Sequence, residues 1–337
     1  MKIRALASFA TCAALWAAVA CAEPVQLKLG FPPPPGSFMN THALAPWAKE
    51  LEEATRGEVK VQIYVGGTLA TYNNVLDRVL NNVADIGYGM FGPLGNQFPR
   101  SGVTQLPFVE EATSVEISTA LWRLYESGVI AEEYVNVKPL SLSVFIPSGY
   151  LGTKPVRNLD DLKGMKVSVG SRVHGQIVEI VGGAPISMPA TELYQSLQRG
   201  LVDAGIMGWA ATAAYKLHEV ARYYVDAPLG NSGKFVVMNK DAYAKLSEDS
   251  RAAIDRLSGV KLSRRMAAAT AEESEHGRDM VKALPGHTIT VSGADEFAKW
   301  RPRMAPLIDE WVKTTPDGAR VLAAYRTEVA KARAENR

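Results

Sequence analysis

Five histidines, two cysteines and a set of spaced glycines are the residues of this 337-residue chain with the most direct routes to chemistry. His42, His174, His218, His276 and His287 include no pair at the i, i+3 or i, i+4 spacing that would place two imidazoles around one metal. No metal site is expected from them. Cys12 and Cys21 both fall in an N-terminal segment that reads as removable, which leaves the remainder without a thiol nucleophile, thiolate site or disulfide. Gly87-Tyr88-Gly89-Met90-Phe91-Gly92 has the spacing of a turn that brings backbone amides to a pyrophosphate. Pro93 and the loop from Gly95 to Pro99 stand where the phosphate-binding helix should begin, so a glycine-rich loop beside a cleft is expected instead, with no cofactor. Neither a Gly-x-Ser-x-Gly elbow nor a Walker loop occurs, and the acids flank charged helix faces. Glycosidase-like carboxylate pairs stay open in any chain with this many acids, but nothing here points to them. No catalytic constellation stands out, so an enzyme is not expected.

The elements that must position a binding site begin after a leader. Lys2 and Arg4 precede an apolar run from Ala5 to Ala20, and small residues through Ala22 lead to Glu23-Pro24. This is the pattern of a secretory signal peptide cut after Ala22; the run is shorter than the roughly 20 apolar residues of a spanning helix. Lipid attachment at Cys21 is the competing route, although Ala18 replaces the usual Leu of such sites. A mature chain of about 315 residues exceeds the roughly 250–300 at which single cores stop growing, so two lobes are expected. Removal of Lys2 and Arg4 brings the 37 basic residues level with the 35 acids, so no net field favours nucleic acid or an anionic membrane.

Apolar residues alternate at Leu27 and Leu29, recur at helical spacing at Trp47, Leu51 and Ala54, and alternate again at Val59, Val61 and Ile63. Strand, helix, strand is an α/β pattern. Val83-Ala84-Asp85-Ile86-Gly87, at the end of one predicted helix, resembles Leu201-Val202-Asp203-Ala204-Gly205 at the end of another, as a duplicated lobe would. Turn chemistry at Pro147 to Tyr150 and at Pro228 to Gly230 suggests crossings between lobes. The expected division is a signal peptide over 1–22, lobe I over 23–147 plus about 229–275, and lobe II over 148–228 plus about 276–337. A helix-rich stretch from Ser247 to about Leu284 is long enough to span both lobes.

Glu52 to Val61, Gly66 to Leu69, Leu106-Pro107-Phe108, Leu159 to Val167 and Glu192 to Asp203 resemble the substrate-binding subunits of tripartite ATP-independent periplasmic (TRAP) transporters, dicarboxylate-binding type. The resemblance continues through Trp209, Leu217 to Tyr223 and Met238-Asn239-Lys240. It implies a two-lobed periplasmic binding protein with a long helix across both lobes, a small organic acid as ligand, and two integral membrane subunits driven by a sodium gradient. A monomer is expected. A sensory receptor for the same acid, or an enzyme using the same cleft, are the alternatives.

The resemblance also implies an Arg that grips the ligand carboxylate at the position of Ser168, and an Asn at that of Met207. Both contacts are replaced, and Arg172 is the expected substitute cation, with Lys154, Arg157 and Arg100 behind it. Phe31, Phe38, Tyr72, Phe91, Tyr150, Trp209 and Phe235 are the expected cleft aromatics. Together these substitutions point to a monocarboxylate with an apolar, aromatic body.

Overall fold

The computed structural model describes residues 23–336 except Glu111 and Ser148, so the expected leader lies outside the described residues. Strand β1 (Val25–Phe31) leads through a π-helical turn at Met39–Leu44 into α1 (Ala45–Ala54), β2 (Val59–Val65), α2 (Val75–Leu80) and β3 (Ile86–Met90). Helix α3 (Ser114–Glu126) follows, started by Thr113 and Glu116 in a reciprocal capping box that supplies about 1 kcal/mol. The chain then runs through β4 (Val137–Pro147), β5 (Gly149–Gly152), β6 (Lys166–Val169), α4 (Arg172–Ile180), β7 (Ala184–Ser187) and α5 (Leu193–Gln198). Next come β8 (Ala204–Met207), α6 (Trp209–Ala214), β9 (Tyr223–Asp226), β10 (Asn231–Asn239), α7 (Lys240–Ala244) and α8 (Glu248–Leu257). Helix α9 (Val260–Ala283), strand β11 (Thr288–Val291) and helices α10 (Ala294–Thr314) and α11 (Gly318–Glu335) close the sequence.

Two sheets result, ordered β2-β1-β3-β10-β4 and β11-β9-β5-β8-β6-β7. The chain leaves the first sheet between Pro147 and Gly149 and returns between Asp226 and Asn231, so the two turn segments noted in the sequence sit at crossings. The first sheet is buried on both faces. Leu27, Leu29, Phe31, Val236 and Met238 pack with Trp47, Ile254 and Met266 on one side, whereas Phe235, Val237, Leu142 and Val144 join the cluster of α2 and α3 on the other.

The short repeat is a structural duplication. Asp85 accepts the Lys28 N–H at 2.7 Å through its carboxylate and donates its own N–H to the Lys28 carbonyl at 2.9 Å. Asp203 does the same to Lys166, at 2.9 and 2.8 Å. Each aspartate thus clamps a neighbouring parallel strand just as its own strand begins. The paired glycines between Gly87 and Gly92 also have a packing role: a β-carbon at Gly87 or Gly89 would overlap Val75, Val79 or Phe235.

The 24 residues of α9 span about 36 Å. It touches α3, β4 and the Met39–Leu44 turn on the first-sheet side and α6 on the second. The expectation that all of 276–337 belongs with the second lobe is corrected at α11. Val321, Leu322, Tyr325 and Val329 recur at helical spacing and carry this helix back onto α3, where Glu335 also pairs with Arg123 at 2.7 Å.

Candidate functional site

Between the lobes lies a small, partly enclosed chamber with walls from both sheets, a concave site of the kind that takes small molecules. Its first-sheet wall comes from Pro33, Ser37 and Met39 before α1, Tyr72 before α2, and Tyr88 and Met90 on β3. Its second-sheet wall comes from Met207 at the end of β8 and from Gly208, Ala210, Ala211, Ala214 and Tyr215 along α6. The crossing strands add Phe145, Ile146 and Ser232, and α9 adds Glu273 and Ser274. Small residues on α6 and thioethers on the strands make most of this surface apolar.

The polar groups are few and mostly phenolic. Tyr72 Oη and Tyr215 Oη are 3.1 Å apart, a hydrogen bond that joins one lobe to the other. Tyr88 Oη is buried and has no partner among the described residues. Burial pushes the Tyr72 and Tyr88 hydroxyls well above their ordinary range and that of Tyr215 up to about 12, so all three stay protonated at neutral pH. Burial also raises the Glu273 carboxyl to about 7, against the opposing pull of the Phe38 N–H and of Lys234. Behind the wall, Lys234 is fully buried, and that burial holds its ammonium well below the usual lysine range. The chamber therefore offers hydrogen-bond donors to an anion and apolar surface to everything else.

Of the residues expected from the sequence, Met207 and Tyr72 line this chamber. Phe38 borders it, half-buried against His42 and His276, with its N–H donated to Glu273 at 3.3 Å. The others are placed elsewhere. Phe31 packs on Tyr88, and Phe91 and Phe235 pack on each other and on Phe98, all in the first lobe's interior. Tyr150 is buried in β5 with its hydroxyl donated to the Lys154 carbonyl at 3.1 Å. Ser168 is buried on β6, between Ile186 and Gly205 in the sheet.

Trp209 stacks on Tyr224, donates its indole N–H to Asp226, and faces a separate open cleft with Arg278 and Phe297. Arg172 is exposed at the first turn of α4 and lines other clefts, one shared with Gly92, Phe98 and Trp311 and one with Glu179 and Pro185, and not this chamber. The reserve cations are also engaged or remote. Arg100 binds Glu132 and Asp317, Lys154 binds Asp203, and Arg157 is exposed. Sequence reasoning missed Tyr88, Tyr215, Glu273 and Lys234. Two of these left a trace: Lys234 stands at the head of the apolar run Phe235 to Met238 in a strand buried along most of its length, and Glu273 falls on the buried stripe of α9 with Met266, Thr270, Gly277 and Val281.

Two α/β lobes joined by crossing strands and closed over one small chamber define a two-lobed solute-binding protein. Residues 33–314 match the bacterial extracellular solute-binding proteins, family 7, and the chain belongs to that family, the substrate-binding subunits of TRAP transporters. The outer membrane transporter protein TsaT of Comamonas testosteroni is 31% identical over 333 residues, covering 94% of this chain and 96% of that one. Among solved structures, a marine-metagenome TRAP solute-binding protein specific for aromatic acid ligands, in complex with 3-hydroxybenzoate, has a TM-score of 0.87 at 25% identity, covering 92% of this chain and 99% of its own. A TRAP periplasmic solute-binding protein of Bordetella bronchiseptica with bound (R)- and (S)-mandelate has a TM-score of 0.84 at 25% identity, over 91% and 99% of the two chains. Members of the family bind small organic acids outside the cytoplasm, and among the described residues here no helix is long and apolar enough to cross a membrane.

Proposed function

We propose that this protein captures an aromatic or similarly apolar monocarboxylate in the periplasm and delivers it, unchanged, to two membrane subunits for sodium-coupled uptake. The observation that carries the reading is the chamber wall, in which Met39, Met90, Phe145, Ile146, Met207 and three α6 alanines surround a small set of hydroxyls. The aromatic acids bound by the marine-metagenome and Bordetella proteins support it. Enclosing about 150 Å² of ring surface contributes nearly 4 kcal/mol at roughly 25 cal/mol per Å². A second carboxylate would be desolvated beside Met207 and the alanines, at a cost of several kcal/mol. Ligand contacts from both lobes favour the closed form, with the strands around Pro147 and Leu229 as hinges, and the closed surface is what the membrane subunits engage. The protein acts as a monomer.

Calorimetric titration with benzoate, 3-hydroxybenzoate, mandelate, succinate and malate tests this. At least one aryl acid should bind more tightly than both dicarboxylates; tighter binding of succinate or malate than of every aryl acid overturns the reading. Mass spectrometry of the bound acid should return it chemically intact.

A further inference from the structure

Among the described residues, the chamber wall has a carboxyl group but no cation, whereas close behind it lies a lysine that is ion-paired with no acid. Lys234 stands in the middle of β10, paired with Met90 of β3 on one side and Ser143 of β4 on the other. Its side chain is 0% exposed. The ammonium donates to Thr270 Oγ1 and lies 3.9 Å from the centre of the Phe145 ring. Thr270 Oγ1 gives its own proton to the Met266 carbonyl at 2.8 Å, which leaves its lone pairs for the lysine. No acid of the described residues is ion-paired with Lys234; Glu273 acts on it only at longer range. Yet Met90, Phe145, Glu273 and Ser232, the last two positions earlier on the same strand, all line the chamber.

An ammonium taken out of water with one hydroxyl and one ring as company is costly unless an anion joins it. Met90, Phe145 and Glu273 lie between its surroundings and the chamber, so an anion held there is the nearest candidate. We propose that Lys234 is the cationic partner of the ligand's carboxylate, assisted by the hydroxyls of Tyr72, Tyr88 and Tyr215. This rests on the aromatic-acid reading and assigns the polar end of that same site. One buried cation also accounts for a preference for one carboxylate over two.

The test compares benzoate, 3-hydroxybenzoate and mandelate, each with its primary amide, on the parent protein and on Lys234→Met by calorimetry. In the parent, the best acid should exceed its amide by about 100-fold or more. In Lys234→Met the acid should weaken by roughly 30- to 1000-fold while the amide changes by less than about threefold, so that the ratio collapses. A variant that keeps the parent's acid-to-amide ratio overturns the assignment of Lys234 and leaves the aromatic-acid reading standing. A parent that binds none of these acids overturns both. Lys234→Gln, which retains a donor for Thr270, is the second variant should the methionine prevent folding, and it must show the same collapse.

Discussion

His174 takes up a proton near pH 6.5 in an unfolded chain, but burial on α4 lowers that value to about 4 in the fold, despite a hydrogen bond to the Leu229 backbone at the strand crossing. Between those two values the unfolded chain binds more protons, so the contribution of His174 is fully present above pH 6.5 and is lost as the pH falls toward 4. From pH 7 to pH 5 the loss comes to about 2 kcal/mol, at about 1.4 kcal/mol per pH unit. Glu273 works in the opposite direction. Its carboxyl is raised from 4.5 to about 7, so the folded state binds more protons across that window and stability falls as the pH rises through it. The two slopes offset one another in the ligand-free parent. Urea unfolding of His174→Gln between pH 5 and 7 should therefore show a stability that decreases with pH more steeply than the parent's, by about 2 kcal/mol over that range. Equal slopes for the two proteins would show that His174 does not titrate as its burial requires.

At the scale of elements, the duplicated aspartates are the features that local sequence revealed best. A helix, a short turn and an Asp-x-Gly at the start of a strand can be recognised in isolation, because periods of 2 and 3.6 residues and a clamping carboxylate are local properties. Asp85→Ala and Asp203→Ala should each cost about 1.5–3 kcal/mol, the scale of a hydrogen bond to a charged group, with the Asn variants milder because an amide oxygen still accepts the strand N–H. Lys154→Ala should cost less than about 1 kcal/mol, since that partner of Asp203 is itself 55% exposed. Denaturant unfolding of the set checks the ranking; a Lys154 effect as large as that of Asp203 would mean the ion pair, not the backbone clamp, fixes β6 to β8. The facing of the aromatics was not legible for a related reason. In β10, Phe235 and Val237 join one core while Val236 and Met238 join the other, so both faces of the strand are apolar and alternation carries no sign of inside or outside. Phe31, Phe91 and Phe235 could be sorted only once the sheet's two coverings were known. That Arg172 opens onto a different cleft from the chamber was likewise not legible, because residue spacing does not encode which cleft a helix start meets.

At the scale of the whole molecule, closure depends on how nearly two backbones can meet across the cleft. Tyr72 and Tyr215 join the lobes on the chamber side, while Gly92, just after β3, packs against the Gly170 carbonyl just after β6. A β-carbon at Gly92 would overlap that oxygen and crowd the Ser171 side chain, and backbone atoms cannot swing aside as a long side chain would. An open form separates these loops and has no such conflict. Gly92→Ala should therefore leave the ligand-free fold nearly as stable as the parent's while opposing the closed state. If the added methyl shifts that equilibrium by about 1.4 kcal/mol, acid affinity falls about tenfold, because a ligand that needs the closed state must also supply the work of reaching it. Small-angle scattering should then show that a concentration of acid that compacts the parent leaves the variant's radius of gyration close to its ligand-free value, and that higher concentrations restore compaction. Unchanged affinity together with normal compaction would show that the lobes close by a path that does not bring Gly92 to Gly170, and the contact would then be incidental to ligand capture.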